Sequence, residues 1–172
     1  ALDTVAPREE LKGVQYATGT ILDEVSLGKR MKGCDAVIHL AAVLGVKRAD
    51  EHLLYCLHVN LEGTIKVLNA CAMHNIPKVL ITSSSEIFGD LSSHKIPEDA
   101  PFNPKSGYAV SKLATEHYVE AFRKEFGIDY NIVRFFNIYG PGQVAEFVVP
   151  RFVKMAQQGL APRIYGGGKQ IR

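Results

Sequence analysis

The sequence contains little of what marks a metalloprotein, a disulfide-stabilised protein or a membrane protein. Its three cysteines are an odd number without the spacing of metal ligands, so we predict buried free thiols in a reducing, cytoplasmic compartment. No two of its six histidines are four residues apart, which leaves no pattern for a metal site. No apolar run is long enough to span a membrane. A net charge of +2 indicates no nucleic-acid-binding surface, and 172 residues suit one ordinary globular domain.

Short β runs alternate with helical segments, and this alternation predicts an α/β fold built on a parallel sheet. The predicted strands are Val14–Thr18, Ala36–Leu40, Lys78–Ser83 and Tyr130–Phe135. The predicted helices are Asp23–Met31, Glu51–His74, Tyr108–Phe126 and Glu146–Gln158, with Asp23 as an N-cap. The predicted long loops are Ser84–Ser106, which contains three prolines, and the segment around Gly166–Gly168.

A glycine-rich phosphate-binding turn is missing from this pattern. A doubly wound nucleotide-binding sheet begins with a central strand and such a turn, yet neither Gly-x-Gly-x-x-Gly nor Gly-x-x-Gly-x-x-Gly follows a strand here. Ala1-Leu2-Asp3-Thr4 instead looks like the end of a second strand, with Asp3 as the acidic residue that binds the adenosine ribose. We therefore expect that a first βα unit of roughly 30 residues is absent, which would leave unpaired backbone groups inside the sheet.

Tyr108 and Lys112 are four residues apart, so on a helix they share one face. A lysine ammonium beside a phenol favours the phenolate, so we expect the pKa of Tyr108 to be lowered. Such a phenol can exchange a proton with a sugar or alcohol hydroxyl. This spacing also occurs in many ordinary amphipathic helices, and its meaning therefore depends on the rest of the chain.

Seven short segments, each weak alone, supply that context. They are Ala1-Leu2-Asp3, Asp35-Ala36-Val37-Ile38-His39-Leu40-Ala41-Ala42, Asn60-Leu61-Glu62-Gly63-Thr64, Thr82-Ser83-Ser84-Ser85-Glu86-Ile87-Phe88-Gly89, Tyr108 to Lys112, Arg134-Phe135-Phe136-Asn137-Ile138-Tyr139-Gly140-Pro141-Gly142, and Ile164-Tyr165-Gly166 through Arg172. In this order and spacing they resemble the NAD-dependent nucleotide-sugar epimerase/dehydratase family of extended short-chain dehydrogenase/reductases.

The resemblance implies a Rossmann-like doubly wound parallel sheet, NAD as the cofactor and a nucleotide sugar as the substrate. It implies that residues 1–142 belong to the NAD-binding domain and that residues 143–172 begin the substrate-binding region. We expect most of that C-terminal substrate domain to be absent. The helices predicted at Glu51–His74 and Tyr108–Phe126 are implied to form the interface of a homodimer.

Ser84, Tyr108 and Lys112 are the catalytic residues that the resemblance implies. Ser84 follows a predicted strand and so lies at a carboxyl end, where open parallel sheets bind ligands. Ser83 and Ser85 are competing candidates, and the family pattern, counted back from Ile87-Phe88-Gly89, selects Ser84. Lys112 is also implied to bind the hydroxyls of the nicotinamide ribose.

The resemblance further implies a set of cofactor contacts and a set of substrate contacts. The cofactor set, beside Tyr108 and Lys112, is Asp3, Thr20, Ile21, Leu40, Ala41, Ala42 and Asn60. Asp3 favours NAD over NADP because a carboxylate accepts a ribose 2′-hydroxyl and repels a 2′-phosphate. Thr20 stands where family members often have Asp, and without the family Asn60 could equally be an exposed helical residue. The substrate set is Ser84, Ser85, Asn137 and Arg172, the last as a partner of the pyrophosphate.

The resemblance implies oxidation at C4 of the sugar, and Glu86 helps to predict which reaction follows it. The 4,6-dehydratases of the family have an Asp-Glu pair where this chain has Ser85-Glu86, so dehydration is the least favoured reaction. Nucleotide-sugar decarboxylases have Ser-Glu there, and 4-epimerases need no such acid. Glu86 is therefore either catalytic or a structural cap in its loop. We rank 4-epimerisation first, decarboxylation of a uronic-acid nucleotide second, and keep a catalytically silent NAD-binding regulator as an alternative of another class.

Overall fold

Parallel strands and the helices that pack on them make up the fold of the computed structural model, which describes residues 1–44, 52–90, 95–164 and 166–168. The strands are β1 (Leu2–Asp3), β2 (Ala17–Thr18), β3 (Ala36–His39), β4 (Lys78–Ser84) and β5 (Asp129–Phe135). The α-helices are α1 (Glu24–Met31), α2 (Leu53–Leu57), α3 (Gly63–Met73), α4 (Gly107–Phe126) and α5 (Val148–Gln157). A π-helical turn spans His58–Glu62, and 3₁₀ turns span Ser85–Phe88 and Gly166–Gly168.

The described strands form two separate parallel sheets. One contains β1 and β2, and the other has the order β3-β4-β5. Within the described residues no strand pairs with β3 on the side away from β4. The predicted α/β class and the expected interruption of the sheet are both confirmed for this part of the chain.

The strand predicted at Val14–Thr18 is shorter in the structure. Only Ala17 and Thr18 pair with β1, because the amide of Val14 donates to the carbonyl of Leu11 at 3.2 Å and so forms a turn. The helix after it begins as predicted. Asp23 is its N-cap, and the Asp23 carboxylate accepts a hydrogen bond from the amide of Ser26 at 3.0 Å.

The long helix predicted at Glu51–His74 is helical over its described residues from Leu53 to Met73, but its backbone hydrogen-bond pattern changes in the middle. Glu51 lies outside the described residues, and the π-helical turn His58–Glu62 separates α2 from α3. Such a turn shifts the residues that follow around the helix axis, and it is common at functional sites. A side chain at Gly63, just after the turn, would overlap the side chain of Ile21, so any other residue here would force Ile21 to shift.

The main core lies between the larger sheet and the helices α1, α3 and α4. Leu68, Ile81 and Val119, from α3, β4 and α4, are each 0% exposed. Burying an aliphatic side chain of this size contributes about 1.5–3 kcal/mol, so this contact fixes α4 on the sheet. The helix that carries Tyr108 therefore has little freedom to move relative to β4.

Two of the three cysteines agree with the expectation of buried free thiols. Cys56 and Cys71 are buried, whereas Cys34, which lies beyond the end of α1 at Met31, is exposed. In the part of the chain described, no helix is both long and apolar enough to cross a membrane. The same residues contain no group of three His, Cys, Asp or Glu side chains suited to hold a metal ion.

Candidate active site

Ser84 is the last residue of β4 and starts the turn that follows it. Its hydroxyl oxygen accepts a hydrogen bond from the amide of Glu86 at 3.2 Å and so caps the 3₁₀ turn Ser85–Phe88. The hydroxyl proton of Ser84 remains available to donate. The loop predicted at Ser84–Ser106 therefore begins with an ordered turn at the carboxyl end of the sheet.

Tyr108 stands in the first turn of α4, directly above that end of the sheet. Ser106 caps the helix by accepting a hydrogen bond from the amide of Ala109 at 3.1 Å. A side chain at Gly107 would overlap Leu53, so glycine lets α2 approach the start of α4 closely. Together the cap and this contact fix the start of α4, where Tyr108 lies.

The phenol of Tyr108 is buried near the hydroxyl of Ser84. Burial raises the pKa of Tyr108, the hydrogen bond from Ser84 lowers it, and the charge of Glu86 raises it further. The expectation of a lowered pKa is therefore wrong for this structure. Lys112 does not neutralise the effect of burial, because its ammonium lies 5.9 Å from the centre of the Tyr108 ring and donates to the carbonyl of Thr82 at 2.8 Å.

Lys112 is 5% exposed, and burial lowers the pKa of its ammonium to about 8. His39, at the end of β3, lies close by, and burial followed by the charge of Lys112 lowers the pKa of His39 to about 4. The Thr64 hydroxyl donates to the carbonyl of Asn60 at 2.6 Å, so neutral His39 donates from Nε2 to Thr64 at 2.9 Å. Lys112 is thus the only one of these two groups that is charged at neutral pH.

Asn60 connects the loop after β3 to the helix that carries Tyr108. Its Oδ1 accepts from the amide of Val43 at 2.8 Å, and its Nδ2 donates to the carbonyl of Val43 at 3.3 Å and to the hydroxyl of Ser111 at 3.0 Å. Ser111 in turn donates to the carbonyl of Tyr108 at 2.7 Å. At 2% exposure, Asn60 is not the exposed helical residue that its sequence alone allowed.

Ser111 is a residue of this site that the sequence reasoning missed. Its position, three residues after Tyr108, was the available signal, because a serine there can bond back to the preceding turn of its helix. The bond from Asn60 could not be foreseen, since it joins residues that are 51 positions apart.

Six of the predicted cofactor residues lie at or just past the carboxyl ends of β1, β2 and β3. Asp3 and Leu40 are exposed, and Ala41 and Ala42 follow β3 with side chains too small to block a ligand from the backbone. This combination of an exposed carboxylate, small side chains and the ammonium of Lys112 fits a dinucleotide. The Thr20 hydroxyl accepts from the amide of Leu22 at 3.2 Å, and the side chain of Ile21 packs in the core.

The predicted substrate residues are only partly described. Ser85 and Glu86 are half-buried in the 3₁₀ turn next to Tyr108, and Asn137 is exposed just past the end of β5. Arg172 lies outside the described residues. Ser83, a competing candidate to Ser84, has a buried hydroxyl oxygen without a hydrogen-bond partner among the described residues, whereas the Ser84 hydroxyl acts on Tyr108 and lowers its pKa.

A family model described as the NAD dependent epimerase/dehydratase family matches residues 2–172 of this chain. The chain belongs to that family. Its fold is the Rossmann-like fold of the family's solved structures. One of these is UDP-N-acetylglucosamine 4-epimerase from Methanobrevibacter ruminantium M1, which is 32% identical with a TM-score of 0.88 over 92% of this chain and 52% of that protein.

Relatives in the epimerase/dehydratase family carry out different reactions. The dTDP-glucose 4,6-dehydratase of Mycolicibacterium smegmatis is 32% identical over 100% of this chain and 54% of that protein. The UDP-N-acetyl-alpha-D-glucosaminuronate decarboxylase of Bacillus cytotoxicus is 36% identical over 95% of this chain and 53% of that protein. The chain thus spans about half the length of the curated relatives that it matches, and these relatives do not single out one reaction.

Proposed function

We propose that this protein oxidises the C4 hydroxyl of a nucleotide sugar transiently, with NAD as the hydride acceptor, and that 4-epimerisation is the overall reaction. The observation that carries the proposal is the grouping at the carboxyl end of β4, where the Ser84 hydroxyl favours ionisation of the buried Tyr108 phenol and the buried ammonium of Lys112 donates to the carbonyl of Thr82 at 2.8 Å. Ligands of open parallel sheets bind at this end. NAD supplies the hydride chemistry when it is bound, and the residues of the chain supply position and proton transfer.

The three side chains have distinct tasks in this proposal. Tyr108 takes the proton of the C4 hydroxyl and returns it to the keto oxygen when the hydride comes back. Ser84 donates a hydrogen bond that stabilises the ionised phenol and so opposes the effect of burial on its pKa. Lys112, whose pKa is lowered to about 8, holds a positive charge one helical turn from Tyr108 and has further donors for ribose hydroxyls.

Epimerisation fits the turn after Ser84 best. Dehydration removes a hydroxyl from the sugar and needs an acid that protonates this leaving group. The residue before Glu86 is Ser85, whose hydroxyl is not such an acid. Glu86 supports a second candidate, decarboxylation of a uronic-acid nucleotide, because its carboxylate is close enough to raise the pKa of Tyr108. The 36% sequence identity with a uronate decarboxylase supports the same candidate.

The test is turnover of UDP-, dTDP- and GDP-sugars, including UDP-glucuronate, by the intact protein with NAD. We expect a C4 epimer by NMR without CO₂ release, and kcat about 10²–10⁴-fold lower in Tyr108→Phe. Tyr118→Phe is the matched control, because Tyr118 is an exposed tyrosine of the same helix. CO₂ release from the uronate would replace epimerisation by decarboxylation, and full turnover in Tyr108→Phe would disprove the mechanism.

The alternative of a silent NAD-binding regulator makes the opposite prediction. Such a protein would bind NAD and convert none of the sugars. The complete set of Ser84, Tyr108 and Lys112 supports the enzyme instead, because NAD binding alone does not require a phenol whose ionisation a serine hydroxyl favours.

A homodimer is part of the same proposal. The apolar side chains Leu54, Tyr55 and Val110, on the packed helices α2 and α4, are between 47% and 84% exposed. Exposed apolar side chains that lie together often mark an interface between subunits. Light scattering should give twice the protomer mass, and Leu54→Glu should reduce it to that of one protomer.

A further inference from the structure

The Arg134–Glu116 ion pair is the most completely bonded charged pair among the described residues, and it lies outside the reacting groups named above. The Arg134 guanidinium donates to both carboxylate oxygens of Glu116, at 3.0 Å from Nε and 2.8 Å from Nη2. The side chain of Glu116 is only 7% exposed and that of Arg134 is 25% exposed. A bidentate pair of this kind has a fixed geometry, unlike a surface ion pair between flexible chains.

Arg134 contacts three separate segments from its place on β5. Through Glu116 it reaches α4, one turn beyond Lys112 and two turns beyond Tyr108. Its guanidinium carbon lies 5.4 Å from the ring centre of Phe88, in the turn that Ser84 caps, and 5.1 Å from that of Phe102.

The third segment is the loop that returns from the turn to α4. Arg134 donates from Nη1 to the carbonyl of Glu98 at 2.9 Å. The amide of Asn103 in the same loop donates to the carbonyl of Ile87 at 2.9 Å, which ties the loop to the turn. A side chain at Gly89 would overlap the carbonyl oxygen of Asn103, so the two segments meet at backbone distance.

We propose that Arg134, together with Glu116, is a positioning residue that holds the turn carrying Ser84 and Glu86 against the helix carrying Tyr108. The pair touches neither substrate nor cofactor in this proposal and acts through Phe88, Glu98 and α4. It thereby keeps Ser84 within hydrogen-bonding distance of the Tyr108 phenol. The inference rests on the proposed function of Tyr108 as the proton-transferring group.

The consequence is a shift in the pH at which the site becomes active. Tyr108 is faced by Glu86 from the turn and by Cys56 from α2, which both raise its pKa, and by Lys112 on its own helix. Ser84 lowers it, so loss of the Ser84 bond would raise the pKa of Tyr108 further. The acid limb of the kcat–pH profile would then move to higher pH, by about 0.4–1 pH unit for one hydrogen bond.

The experiment compares two double variants of the intact protein with NAD. Arg134→Met/Glu116→Gln removes the pair without leaving an unpaired buried charge. Lys124→Met/Glu120→Gln is the matched control, because it removes an exposed pair, 2.8 Å between charged atoms, from the same helix. The measurements are hydrogen exchange of residues 85–88 and 96–104, the kcat–pH profile, and the dissociation constant for NAD.

We expect faster exchange in both segments and the shift of the acid limb for the first variant only, with the NAD dissociation constant within about two-fold of the parent. Arg134→Lys keeps the charge opposite Glu116 without the bidentate geometry and should give a smaller shift. It also serves as the test protein where the double variant does not fold. Faster exchange with an unchanged kcat–pH profile, or an equal shift in the Lys124/Glu120 control, overturns the proposal.

Failure of the proposed function would be visible separately. If Tyr108→Phe turns over at the rate of the parent, Tyr108 is not the proton-transferring group and the pH shift loses its basis. Hydrogen exchange does not depend on turnover, so it still decides whether Arg134 holds the two segments. Unchanged exchange in the Arg134/Glu116 variant overturns the positioning role whatever the activity.

Discussion

Replacement of Lys112 by methionine should make the ligand-free protein more stable at neutral pH while it removes the proposed activity. Lys112 is 5% exposed, and burial lowers its pKa from 10.5 to about 8. A difference of this size means that keeping the ammonium charged inside the protein costs about 3 kcal/mol at pH 7. Methionine has a similar volume, carries no charge and packs well in irregular apolar spaces.

The gain is smaller than that cost because one hydrogen bond is lost. The Lys112 ammonium donates to the carbonyl of Thr82 at 2.8 Å, and a bond from a charged donor contributes about 1.5–3 kcal/mol. We therefore expect Lys112→Met to raise the free energy of unfolding by about 1 kcal/mol at pH 7. The value should be measured by urea denaturation without NAD or substrate.

The stability difference between Lys112→Met and the parent should change with pH, whereas a difference due to packing alone would not. Between about pH 8 and 10.5 the unfolded chain keeps the Lys112 proton that the folded protein has lost, so the parent becomes more stable as the pH rises. Lys112→Met lacks this gain, and its advantage should disappear and reverse by pH 10.5. The two proteins share their other titrating groups, so the difference between their curves isolates Lys112.

The control is Lys78→Met, since Lys78 is an exposed lysine at the start of β4 and should show no such crossover. The reasoning is refuted if Lys112→Met is clearly less stable than the parent at pH 7. It is refuted equally by a stability difference that stays constant between pH 7 and 10.5.

Three further predictions concern the interior around the site. Burial lowers the pKa of His39 to about 4, so the parent should lose about 3 kcal/mol of stability as the pH falls from 6.5 to 4. Urea denaturation should show that His39→Gln lacks this loss. Asn60→Leu removes two hydrogen bonds to the backbone of Val43 and should weaken NAD binding in calorimetry, whereas Asn69→Leu should not. Leu68→Ala should lower the free energy of unfolding by about 2–5 kcal/mol in urea, because Leu68 is 0% exposed. A loss below 1 kcal/mol would contradict the packing of α3 on the sheet.

The helix that carries Tyr108 and Lys112 was predictable because its signals are local. Ser106 caps it, Gly127 ends it in the left-handed conformation with φ of 71°, and the spacing of four residues places both side chains on one face. The strand before Ser84 was predictable for a similar reason, since a short apolar run suits a buried parallel strand.

The charge state of the site was not predictable from neighbouring residues. The sequence places Lys112 one helical turn from Tyr108, and this spacing alone led to the prediction of a lowered pKa for Tyr108. In the structure the ammonium of Lys112 donates to Thr82, and burial acts on the phenol more strongly than any charge. Burial depends on the whole fold, so a local pattern carries no measure of it.

The sequence by itself determined the family, the order of strands and helices, and the side chains Ser84, Tyr108 and Lys112 at one end of the sheet. These features depend on residues close together in the chain or on short motifs in a fixed order. Only the tertiary structure decided which partners these side chains have. Asn60 reaches Ser111 across 51 positions, and Arg134 reaches Glu116 across 18, because the crossovers of a parallel sheet bring distant segments together. The candidate site residues are therefore encoded locally, whereas their protonation and their alignment depend on contacts that exist only in the folded chain.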